Sequence, residues 1–192
     1  MNKTMVSIAL LMLAFSSALA VDLMGINTGT GMLLLNQDPG NYFSIEIQAS
    51  KMPSLGNFLV GKNQLQITST LVSDFIDDPS AVNDAQTVLE KHSEYEKSYI
   101  EENVIHAPLK LKSHYENGSL YWTATGSKYQ FRVCTTVHNH ILTMLSAVIL
   151  DPASAEEVLH LQRNAWVTLK FRDAPWSLSE IEALSNRYRS NH

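Results

Sequence analysis

The stretch TTVHNHIL, residues 135–142, sets His138 and His140 on either side of one asparagine. In an extended strand that i, i+2 spacing puts both imidazoles on one face, which is half of a zinc site. A catalytic zinc needs a third protein ligand and partners for the outer ring nitrogens. His114 and Asp151 are the candidates to complete it, with His114 placed near the opposite end of its strand. Nothing in the spacing brings His106 or His160 to the pair. A turn accounts for more. Residues 138–140 are the only polar break between two apolar runs, and Asn139 tolerates the left-handed backbone of tight turns. The expectation is a turn, with no metal or cofactor. A metal-binding protein or metal-dependent hydrolase on His138, His140 and His114 is the alternative.

Other reactive types are no more convergent. The sequence has no G-x-S-x-G, H-E-x-x-H, P-loop or paired C-x-x-C. Ser127 after Gly126 reads as a hairpin tip. Asp74, Asp77 and Asp78 are acidic neighbours without the spacing of a calcium loop. Cys134 is the only cysteine, inside the apolar run FRVCTTV, and reads as a buried free thiol. His92 falls on a helical apolar stripe and reads as a core-edge histidine. Asn117-Gly118-Ser119 matches a glycosylation sequon, which would carry no meaning in a bacterium and reads as a hairpin turn. Trp176, beside Pro175, is the tryptophan expected to stay partly exposed, and exposed tryptophans favour binding surfaces. Trp122 and Trp166 read as packing. With Tyr121, Trp122 and Tyr129, Trp176 makes the candidate binding surface, the two tyrosines expected to stand together.

The elements that would hold these residues follow from pattern. GMLLLNQ, DPGN and YFSIEIQA read as strand, turn and strand. In GKNQLQITSTLVSDF, Leu65, Ile67, Ser69 and Leu71 alternate with polar residues, a strand with one buried face. Asp78-Pro79 opens a helix with Val82, Val88, Leu89, His92, Tyr95 and Tyr99 on its stripe. Glu90, Lys91, Glu94, Glu96 and Lys97 are assigned to its solvated face. From Leu109 the period becomes two. LKLKSHY, the Asn117-Gly118 turn, SLYWTAT, KYQFRVCTTV and ILTMLSAVIL make a four-strand meander. The last run is apolar on both faces and must be covered on both. Ser154–Glu157 and Ser177–Glu180 read as capping boxes. The first starts a helix running towards Phe171. The second starts a terminal helix with Ile181, Leu184 and Tyr188 inward.

Residues 1–20, MNKTMVSIALLMLAFSSALA, read as a signal peptide: Lys3, an apolar run from Met5 to Phe15, then Ala18-Leu19-Ala20. Cleavage after Ala20 would leave one α+β domain over 21–192. The formal charge of −5 would become −6, because Lys3 leaves 13 basic residues against 19 acidic. That balance argues against nucleic acid and anionic lipid. The expected place is periplasmic or secreted, with no membrane anchor after cleavage.

LYWTATGSKYQFRVCTTVHNHILTMLSAVILDPASAEEVLHLQRNAWVTLKF, following paired strands and a helix, resembles the PsbP-like family of small α/β/α proteins, which includes the DcrB-like proteins. The resemblance implies an antiparallel sheet, the meander plus the N-terminal strands, sandwiched by helices. It implies accessory, chaperone-like or toxin-neutralising roles and no catalytic residues. The helix after Pro175 lies outside that pattern. The functional expectation is an exported, non-catalytic binding or accessory protein acting on another protein, with an immunity protein as one form.

Overall fold

The computed structural model describes residues 22–49, 52–77 and 84–189. The signal sequence and the Asp78-Pro79 helix start lie outside these residues. Among the described residues ten strands form two sheets, making the α+β class expected. β1 (Leu23–Asn27), β2 (Met32–Asn36), β3 (Tyr42–Ile47) and β10 (Lys170–Arg172) form one, in the order β1-β2-β3-β10. The other contains β4 (Asn57–Val60), β5 (Asn63–Leu71), β6 (Lys110–Glu116), β7 (Ser119–Thr125), β8 (Gln130–His138) and β9 (Ile141–Ile149), ordered β4-β5-β9-β8-β7-β6. The meander is therefore present, and the N-terminal strands divide between the sheets. The helices are α1 (Ala85–Tyr99), α2 (Ala155–Trp166) and α3 (Leu178–Arg189). Contacts cluster in two compact units, one over Ser69–Met144 and one over the described residues of Ala20–Thr68 and Leu145–His192.

In the first unit α1 packs on β6, β7 and β8. Asp84 caps it, accepting from the backbone N–H of Gln86 and Thr87 and from the Thr87 hydroxyl. Leu120, Trp122 and Ala124 of β7 stand opposite Thr135, Val133 and Phe131 of β8, and all six are buried. Period two puts them on one face. Val137 continues that row and joins Val72, Ile76 and Val88 under α1. After α1 the chain continues as a π-helical turn, Ile100–Ile105, and leaves through His106 at φ 50°. Glu101 fastens this exit by accepting from the Leu109 N–H and pairing with Lys97 at 3.2 Å. Those partners, the Leu109 N–H first, hold its carboxyl below the ordinary range.

In the second unit the three leucines of β2 serve both faces of their sheet. Leu34 pairs with Ile45 among fully buried Phe43 and Ile47. Leu33 and Leu35 point the other way and, with Ile26, lie under Trp176, Ile181, Leu184 and Tyr188. The inward face read for α3 is correct. Its capping box is formed: the Glu180 N–H reaches Ser177 Oγ at 3.3 Å, and the Ser177 N–H reaches Glu180 Oε2 at 2.8 Å.

Three expectations are corrected. Ser154 makes no side-chain cap on α2. Its Oγ instead lies 3.2 Å from Asn63 Nδ2, and Asp151 caps the preceding 3-10 turn. α2 ends at Trp166, and Phe171 belongs to β10, so the helix does not run on to it. In β5 the alternation fails: Gln64, Thr68 and Thr70 are buried while Leu71 is 38% exposed. β5 is an interior strand between β4 and β9; Thr70 pairs with Asp74 and Gln64 with Asn57, while the Thr68 hydroxyl has no partner among the described residues.

Candidate functional site

The structure separates the histidines of the metal alternative. His138 ends β8 and Ile141 begins β9, leaving Asn139 and His140 as a two-residue turn at φ 49° and 60°. Successive left-handed residues suit the twist of a tight hairpin. The His140 carbonyl accepts from the Val72 N–H at 3.0 Å, so this turn also anchors its neighbour's backbone. His138 is half-buried and His140 exposed. The β6–β7–β8 register aligns His114 with Tyr121 and with Cys134 at the middle of β8, neither beside His138 nor at the opposite end. Four residues along and two strands across, the gap exceeds roughly 13 Å, too far for a shared metal. His114 is itself 72% exposed and stands 3.6 Å from Glu116. Asp151 is occupied in capping. Among the described residues, no three His, Cys, Asp or Glu side chains gather as a metal site.

The aromatic surface is also redistributed. Trp122 is 2% exposed and cannot belong to a binding face, because its row lies under α1. Tyr121 and Tyr129 are half-buried but do not stand together. Tyr121 is opposite Cys134, whereas Tyr129 closes the far hairpin by accepting from Gly126. Burial covers Cys134 too and pushes its thiol up to about 12, which removes the reactive thiolate.

Trp176 is where charge, aromaticity and exposure meet. Gln37 clamps it by its backbone, Oε1 accepting from the Trp176 N–H at 3.0 Å and Nε2 donating to its carbonyl at 3.3 Å. The Arg172 guanidinium lies 4.1 Å from the ring centroid and donates to Glu180 Oε1 at 3.1 Å. Glu180 is held down to about 2, first by the Ser177 N–H, then by the Ser177 hydroxyl and Arg172. The tryptophan is half-buried, and Leu178, two residues on, is 78% exposed. Pro175 and the capping box were the sequence signals for this site. Arg172 was missed because a three-residue strand has no periodicity to read.

A second polar cluster reverses an assignment. Glu96, read as solvent-facing, is 1% exposed beside His92 at 0%, with Nε2 and Oε1 3.5 Å apart. One turn separates them on α1, so they share its inner face. The Phe75 ring packs edge-on against the imidazole, centroids 4.9 Å apart. Among the described residues neither side chain has a hydrogen-bond partner.

No family model and no curated protein matches the sequence. Among solved structures, the chain is similar to the solution structure of cyanobacterial PsbP (CyanoP) from Synechocystis sp. PCC 6803. Identity is 13% and the TM-score 0.39, covering 82% of this chain and 96% of that one. This is the likeness the order of elements suggested, and the functional reading below rests on this chain's own residues. No described helix is long and apolar enough to cross a membrane.

Proposed function

We propose that this is an exported, non-catalytic binding or accessory protein that works by protein–protein contact, with Trp176 as the anchor of its contact surface. The observation that carries the reading is the Arg172–Trp176 stack at 4.1 Å, backbone-clamped by Gln37 and followed by exposed Leu178. Tryptophan and arginine are the types that concentrate binding energy in interfaces, and a pre-ordered ring loses little freedom on docking. The apolar run Met5–Phe15 after Lys3 supports export. An acidic balance suits a partner with a basic cleft, the form an immunity or inhibitor protein would take.

The test compares tagged wild type with an Arg172→Ala, Leu178→Asp variant, after circular dichroism shows both folded. Crosslinking in the envelope fraction and mass spectrometry should find one stoichiometric protein on the wild type, lost from the variant. Equal recovery on both would remove this surface from the account. N-terminal sequencing of the mature chain should begin at Val21.

A further inference from the structure

The second unit holds a cavity of about 310 Å³, lined on one side by the turn after β1 and the end of β3, on the other by β4 and α2. Its size falls at the lower end of small-ligand pockets. Two glycines shape it. A Cβ on Gly31 would collide with the Ile47 carbonyl, so only glycine lets this turn press against β3 and set Thr30 beside Gln48. Gly61, at φ 62°, ends β4, and a Cβ there would stand 3.0 Å from Ser154 Oγ. That close approach seats the β4–β5 tip against the start of α2. Asn63 then locks the junction, accepting from the Leu150 and Asp151 N–H groups at 2.8 Å each and donating to the Asp151 carbonyl at 3.1 Å. Glu157 and Leu161, one turn apart on α2, are thereby fixed in the cavity wall.

The lining is divided. Leu59, Val60 and Leu161 give an apolar side, and Thr30, Gln48 and Glu157 give a polar one. Among the described residues none of these three polar side chains has a hydrogen-bond or ion-pair partner. All three are exposed; the hydroxyl and the amide can each turn an oxygen to a donor, and the carboxylate gives the one anionic type in the lining. An alkylammonium group has three N–H donors, one positive charge and an apolar tail. The match is in number, sign and polarity.

We propose that this cavity is a binding site for a small primary alkylamine in its ammonium form. Glu157 receives the charge, Gln48 and Thr30 accept the remaining donors, and the Leu59–Leu161 side takes the alkyl chain. The proposal is independent of the Trp176 contact surface.

The probe is n-pentylamine, titrated into the isotopically labelled mature chain and followed by amide shifts at Thr30, Gln48 and Leu161. Pentanol and pentanoate test the charge, and pentyltrimethylammonium tests the N–H donors. Saturable shifts are expected with pentylamine, with affinity at least about tenfold above the three analogues, as loss of a charge-assisted hydrogen bond requires. Glu157→Gln, at an exposed position, should keep the fold and remove that preference. Equal binding of pentanol and pentylamine, unchanged pentylamine binding by Glu157→Gln, or no saturable shift with any probe would each overturn the assignment.

Discussion

His92 and Glu96 lie inside the first unit, 0% and 1% exposed, 3.5 Å apart and with no hydrogen-bond partner on either side chain among the described residues. Arg172 and Glu180 lie on the surface of the second, 26% and 44% exposed, 3.1 Å apart. There the partners are plentiful: Glu180 accepts from Arg172 and from the Ser177 N–H and hydroxyl, while Arg172 covers Trp176. Proximity of opposite types is common to both. What differs is who replaces the water. At the surface the capping box and solvent do so. Under α1 no described protein group does, so the buried pair carries a desolvation cost that its own contact offsets only in part.

The largest expected effect follows from that cost. His92→Leu or Glu96→Leu alone strands the other polar group in the core and should lose roughly 3–5 kcal/mol. The double change to leucine removes both polar groups and should recover most of that loss. Urea denaturation of the four proteins completes the cycle. Additive losses would mean the two side chains act independently, and the contrast with the surface pair would fall.

Periodicity made one member of that pair visible and concealed the other. The apolar spacing puts His92 on the stripe, while residue type alone sends Glu96 to solvent, although four residues from His92 is the same face. The same tension recurs elsewhere. Ser177-Leu178-Ser179-Glu180 is legible because a capping box is a local contact among four residues. Ser154–Glu157 has the same S-x-x-E pattern, but the Ser154 hydroxyl turns away from the helix to Asp151 and to Asn63, 91 residues away. β5 shows the limit from the other side: its polar residues are buried because neighbouring strands enclose it, which no window of its own sequence reports. The hairpins at Asn117-Gly118 and Asn139-His140 were legible, since left-handed backbone demands particular residues on the spot. Trp176 is legible as a partly exposed aromatic, but its cation is not, because β10 is too short to announce itself.

A middle-sized effect tests whether the surface pair depends on its aromatic floor. Trp176→Ala removes the ring from Ile26, Leu33 and Leu35 and the support beneath Arg172. A half-buried tryptophan should be worth roughly 1–3 kcal/mol here, less than a core one. Hydrogen exchange should place the loss in α3, with α1 amides unchanged. Faster exchange in both helices would show that the tryptophan supports more than its own sheet face.

The smallest effect belongs to Glu180, where solvent already does much of the work. Its carboxyl is held down to about 2 in the fold, by the Ser177 N–H, the Ser177 hydroxyl and Arg172 in that order, against an ordinary value near 4.5. The folded value is the lower one, so its contribution is present above 4.5 and fades as pH falls towards 2. Exposure and salt screening keep it small. Protection of the first-turn amides of α3 should therefore decline between pH 4.5 and 2, and added salt should weaken the Arg172 share more than the capping share. In Glu180→Gln that decline should vanish, leaving a low, flat protection across the same range. A decline that persists in the glutamine variant would assign the acid response to another carboxylate and place this pair among contacts that contribute nothing measurable.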